Sequence, residues 1–157
     1  MSNTDFHGAF NEIMAQLKEK LGISNPIIRK LENDELKTAA YFGYGREQAL
    51  LRIFLGQGVS GRCAEDKTTV VINDLSRYNG QYIAGIDNAQ AELCIPMMIA
   101  GKVIGTFNIE STYKDNFTPE KVEFISRMAK MLVHNLASIE NKAGLRLARA
   151  LANLESF

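Results

Sequence analysis

Apolar residues fall at Phe6, Phe10, Ile13, Leu17 and Leu21 within an otherwise polar stretch. That three-to-four spacing is one face of a helix over residues 5–21, and Gly22 stops it. Apolar and polar positions alternate loosely over 27–32, Asn33-Asp34 turns the chain, and 36–42 resumes the alternation. Two strands meeting in a hairpin follow from this pattern. Gly43-Tyr44-Gly45 breaks the second strand, and 50–55 is a further strand candidate. The glycines of Gly56-Gln57-Gly58-Val59-Ser60-Gly61 permit positive φ, and Ser60 suits the N-cap of a short helix over 61–65. Val70, Val71 and Ile72 read as a short strand.

Residues 73–88 lack clear periodicity and contain Gly80 and Gly85. A short helix plus loop is expected there, and long loops inside compact domains are commonly functional; this is the candidate lid. A long β-hairpin then turns at Ala100-Gly101. Thr118-Pro119 starts a helix with proline at its first position. Ile125, Ala129, Leu132, Leu136 and Ile139 carry that helix through at least Asn141. Past Asn141-Lys142-Ala143-Gly144, a second amphipathic stretch has Leu145, Leu147, Leu151 and Leu154, so 119–157 is a C-terminal helical region.

The hairpin has two unlike faces, because successive strand residues point to opposite sides. Leu93, Ile95, Met97, Val103, Phe107 and Ile109 share one face, which is expected to pack on the first and last helices. Glu92, Cys94, Ile104, Thr106, Asn108 and Glu110 share the other. A solvated face is one reading of that set. Cys94 and Ile104 are poor choices for water, however, and a wall mixing apolar with a few polar groups is what a ligand pocket needs.

Composition narrows the classes. A chain of 157 residues that is 46% hydrophobic and 23% charged fits a single globular domain over 1–157. Eighteen Lys+Arg balance eighteen Asp+Glu, so there is no basic footprint for nucleic acid or an anionic membrane. No apolar run is long enough for a membrane span, and the polar start is unlike a secretory signal; a cytoplasmic location is the expectation. Cys63 and Cys94 make no metal-ligand spacing, and His7 and His134 are the only histidines. A zinc site, a Ser-His-Asp triad and a Cys-His pair are disfavoured, and no cofactor is expected.

The order strand, glycine turn, short helix, short strand and long hairpin, with Glu92 before Pro96 and Asn108 and Glu110 near the end of the second strand, resembles a GAF domain. Among such domains the chain resembles the free methionine-(R)-sulfoxide reductases. The resemblance covers about residues 23–137. It implies an α+β fold with a central antiparallel sheet, terminal helices on one face and a ligand pocket on the other.

In those enzymes acids matching Glu92, Asn108 and Glu110 hold the amino-acid ligand, so the acid wall here carries one amide. Thr106, Cys94 and the lid residue Tyr82 join the expected contacts. The opposite wall would be Val59, Ser60, Gly61 and Arg62, where backbone N–H groups at a helix start attract an anion. The reductases' cysteine positions hold Leu50, Ser60 and Gly85, so the favoured expectation is a non-catalytic sensor of a small polar or zwitterionic metabolite. One alternative is a sulfoxide reductase using Cys63 and Cys94, and another is an interaction module with its pocket filled by side chains. Motifs of cyclic-nucleotide and bilin-binding relatives are absent. Pairing through the terminal helices into a homodimer, with a signalling protein as a further partner, is expected from the resemblance.

Overall fold

The computed structural model describes the backbone of residues 5–155 and the side chains of residues 5–139. Helix α1 is Phe6–Leu21. The Asp5 carboxylate caps it by accepting from the Gly8 N–H at 2.8 Å, and Gly22 ends it in the left-handed conformation that glycine adopts without strain. The strands are β1 (Ile27–Glu32), β2 (Glu35–Tyr41), β3 (Ile53–Phe54), β4 (Val70–Ile72), β5 (Ala91–Ile99) and β6 (Lys102–Ser111). Short helices α2 (Arg46–Ala49) and α3 (Gly58–Asp66) flank β3, and α4 spans Pro119–Glu155. The strands form one antiparallel sheet in the order β3-β2-β1-β6-β5-β4.

β5 and β6 are joined at Ala100 and Gly101, both at positive φ, as a two-residue turn matched to strand twist requires. The main core lies between the sheet and the two long helices. Leu93, Ile95, Met97, Phe107 and Ile109 pack there with Phe10, Leu17, Ile125, Leu132 and Leu136.

One pair on the expected faces is reversed. A β-bulge places Met97 opposite Gly105 but Met98 opposite Val103, leaving Ile104 as the extra residue. A one-residue slip inverts the alternation beyond it. Ile104 therefore packs on the helix-side core, and Val103 joins Leu36, Ile53 and Ala64 on the other side.

Three other expectations are corrected. The strand over 50–55 shrinks to Ile53 and Phe54, because Leu50 is the C-cap of α2 and residues 50–52 turn the chain out of that helix. Thr38 Oγ1 donates to the Ala49 carbonyl at 2.5 Å, pinning α2 against β2, and Leu50 and Leu51 are left exposed. α3 begins at Gly58 with Gln57 as its N-cap, so Ser60 lies inside the helix. α4 runs unbroken through Gly144; a lone helical glycine costs only about 1 kcal/mol relative to alanine, and no proline follows it. The apolar stripe from Leu145 to Leu154 lies outside the described side chains. The expected lid holds one 3-10 turn, Leu75–Arg77, and is otherwise irregular. No described helix is long and apolar enough to cross a membrane.

Candidate functional site

The sheet face away from the long helices is buried. Glu92, Cys94, Thr106, Asn108 and Glu110 are each no more than 6% exposed, so the solvated-face reading fails. The cover comes from α3 and from the 73–88 loop. Between cover and sheet lies a cavity of about 390 Å³ including its open mouth, lined among others by Arg29, Tyr44, Ser60, Glu92, Asn108 and Glu110. Only about 30 Å³ of it admits the centre of a water molecule.

Asn108 is the hub. Its Oδ1 accepts from Ser60 Oγ at 2.8 Å and from Cys94 Sγ at 3.0 Å, and its Nδ2 donates to Glu92 Oε1 at 2.8 Å. An aspartate at this position would set a second carboxylate against Glu92, whereas the amide supplies both an acceptor and a donor. The amide in the acid wall thus has a local physical reason.

Glu110 anchors the lid. It accepts from the Tyr82 hydroxyl at 2.6 Å and from the Ile86 N–H at 2.8 Å. Gly85 is required at this approach, because a Cβ there would run into the Glu110 carboxylate and the Tyr44 ring. Gln81 Oε1 ties the lid to α3 by accepting from the Gly58 N–H at 3.0 Å.

Burial governs the titration of this cluster. It raises the Glu92 carboxyl to about 8, assisted by the charge of Glu110 and opposed by the Asn108 bond. Burial also raises Glu110, against the bonds from Tyr82, Ile86 and Tyr44. It lowers the Arg29 guanidinium, which the neighbouring acids pull the other way. Arg29 Nη1 donates to Ser60 Oγ at 3.3 Å. Its Nε and Glu92 Oε2 are buried without a hydrogen-bond partner.

The residues singled out from sequence divide into three groups. Glu92, Asn108, Glu110, Val59 and Ser60 line the cavity. Thr106, Cys94 and Gly61 are buried behind its wall, and Tyr82 reaches the site by its bond to Glu110. Arg62 does not belong to it: the side chain lies on the exposed side of α3 and donates to the Tyr78 hydroxyl at 3.1 Å. Helix phase explains this. Arg62 is two residues from Ser60, and residues two apart on a helix face different ways.

Arg29 and Tyr44 were missed. Arg29 pairs with Thr106, and Ile27 with Asn108, so strand alternation places both on the pocket face once the β1–β6 neighbourhood is known. No local signal in the β1 segment reveals that pairing. Cys63 and Cys94 are fully buried in one cluster, and burial, with the neighbouring Cys63, raises the Cys94 thiol well above its usual range. Among the described residues, no group of three or more His, Cys, Asp or Glu could hold a metal ion.

The comparisons agree with this geometry. The chain is 29% identical over 89 residues to protein YtsP of Bacillus subtilis, covering 57% of this chain and 54% of that protein. It is 28% identical over 112 residues to the free methionine-R-sulfoxide reductase of Escherichia coli, covering 71% of this chain and 66% of that enzyme. The chain thus spans between half and two-thirds of the length of these curated relatives. The structure of the Neisseria meningitidis free methionine-R-sulfoxide reductase in complex with its substrate superposes with a TM-score of 0.74 at 25% identity, covering 90% of this chain and 83% of that one. The GAF-domain family model matches residues 3–136, and the antiparallel sheet with long helices on one face and a covered polar cavity on the other places the chain in the GAF family.

Proposed function

We propose that this GAF domain is a non-catalytic sensor that binds a small polar metabolite in the cavity between α3, the 73–88 loop and the β5–β6 hairpin. The observation that carries the reading is the concentration of buried polar groups on that sheet face, with Arg29 Nε, Glu92 Oε2 and Thr106 Oγ1 unpartnered, the first two on residues that line the cavity. Buried polar atoms left unsatisfied cost about 1–3 kcal/mol each, and a ligand that completes them recovers the loss. The reductase cysteine positions argue against catalysis: Ser60 and Gly85 line the cavity without a thiol, and Leu50 is outside it. Output would pass through α1 and α4, which pack on the same sheet from its other face. Pairing of two copies through these helices, and docking to a signalling partner, belong to the same proposal.

A thermal-shift screen of small polar metabolites tests it. A true ligand at about 100 times its dissociation constant adds about 2.7 kcal/mol of stability, and Asn108→Ala removes the response. Sedimentation of the full chain across concentration tests the pairing.

One observation favours a second reading. Cys63 and Cys94 are free thiols in one buried cluster behind the cavity wall, the pair of sulfurs a reductase would need. Incubation with free methionine-(R)-sulfoxide and a dithiol reductant decides: turnover that Cys63→Ser abolishes would overturn the sensor proposal.

A further inference from the structure

We infer that the cavity selects a small oxyanion, a carboxylate or similar group with two or three oxygens, held between the Arg29 guanidinium and the first turn of α3. The inference rests on the sensor reading and names the chemical class of its ligand.

The acids of the wall are already occupied. Each oxygen of Glu110 already accepts a bond, from the Tyr82 hydroxyl and from the Ile86 N–H. Glu92 gives one oxygen to Asn108, and its raised carboxyl, at about 8, is mostly neutral at pH 7. A cationic ligand would find little unspent acceptor here, and it would find a cation in place: Arg29, a residue of the chain itself, lies under the field of both acids.

Of the unmet side-chain atoms on residues lining the cavity, Arg29 Nε and Glu92 Oε2, the first is a donor. Arg29 is 6% exposed, lines the cavity, and carries an Nε–H with no acceptor. Gly58, Val59 and Ser60 line the same cavity and form the first turn of the nine-residue helix α3. The N-cap residue, Gln57, makes no side-chain cap, so the Val59 and Ser60 N–H groups have no intrahelical acceptor. Gly58 N–H is spent on Gln81. A neutral Glu92 carboxyl adds a hydroxyl donor at its unpartnered oxygen. Guanidinium and helix N-terminus are complementary anion holders, the first by charge-assisted bonds and the second by aligned dipoles. The 30 Å³ open to water centres is room for about two or three water-sized positions, the size of formate, acetate or nitrate. An amino acid with an extended side chain would require the lid to move.

The test is a titration of the full chain with sodium formate, acetate and nitrate at constant ionic strength, chloride as the balancing salt. Ammonium, guanidinium and a set of free amino acids are run beside them. At least one oxyanion is expected to give a saturable rise in Tm that Arg29→Gln weakens by about tenfold or more, the loss of one charge-assisted bond. Circular dichroism checks that the variant keeps the fold. Should it unfold, the wild-type protein carries the test by nitrogen-15 NMR. The Arg29 Nε–H and the Val59 and Ser60 amides should then shift together with the added oxyanion, and shifts confined to surface lysines would overturn the assignment. A response to amino acids or cations alone would overturn the oxyanion while leaving a sensor. No response to any compound would overturn both.

Discussion

The two faces of the β5–β6 hairpin are buried to the same depth by unlike chemistry. Toward the helices, Leu93, Ile95, Phe107 and Ile109 meet a continuous apolar surface from α1 and α4. Toward α3 and the lid, Glu92, Cys94, Asn108 and Glu110 meet a short chain of hydrogen bonds that leaves some atoms unpartnered. The first face adds stability in proportion to apolar area, at about 25 cal/mol per Å². The second loses solvation and regains it only in part. Stability and chemistry are thus kept on opposite sides of one sheet. A sheet face that buried polar groups for structure alone would complete their bonds.

The largest effect is expected on the apolar side. Phe107→Ala, at a fully buried position, should cost about 3–5 kcal/mol, read as a fall in the urea midpoint. On the polar side the expected effect changes sign with pH. Glu92 titrates near 8 in the fold and near 4.3 when unfolded, so between those values the folded state binds the extra proton. Stability therefore falls as pH rises through that window and levels off above about 8. Glu92→Gln, which keeps a neutral side chain of the same shape, should flatten the slope. It should leave the variant more stable than wild type at pH 9, where the wild-type carboxyl is ionised in the fold. Denaturant titrations at pH 5, 7 and 9 check both points, and a slope unchanged by the substitution would place the titration elsewhere.

Gly85→Ala probes the lid. A Cβ at residue 85 strikes Glu110 and Tyr44, and the predicted cost is about 1–2 kcal/mol, with faster hydrogen exchange at the Ile86 amide. Arg62→Ala is the smallest. Its partner bond to Tyr78 lies on the exposed side of α3, so stability should stay within about 0.5 kcal/mol of wild type and ligand response should not change. A lost response would return Arg62 to the site.

Legibility followed the range of the interactions. α1 and the start of α4 were readable because their apolar stripes and caps are local. The pocket face of the hairpin was readable because strand alternation is local too, from Glu92 to Cys94 and from Thr106 to Glu110. Val103 and Ile104 were misassigned because no composition signal marks the bulge that inverts them. Ser60 was placed on the site for one reason, as a cap at a helix start, and reaches it for another, as a donor to Asn108. Arg62 was included because it is near in sequence, and helix phase turns it away.

The hydrophobic periods along the chain carry enough information for the long helices, the hairpin and which strand face is polar, since these depend on spacings of two or about four residues, while the layered α+β arrangement is what the resemblance to GAF domains implies. The charge balance of the cavity does not follow from them. It depends on β1 lying beside β6, which brings Arg29 from one end of the chain into the field of Glu92 and Glu110. It depends too on the lid reaching back to occupy Glu110. Those contacts join segments far apart in sequence, and it is their juxtaposition around one buried cavity that sets the Arg29 guanidinium against a wall of acids.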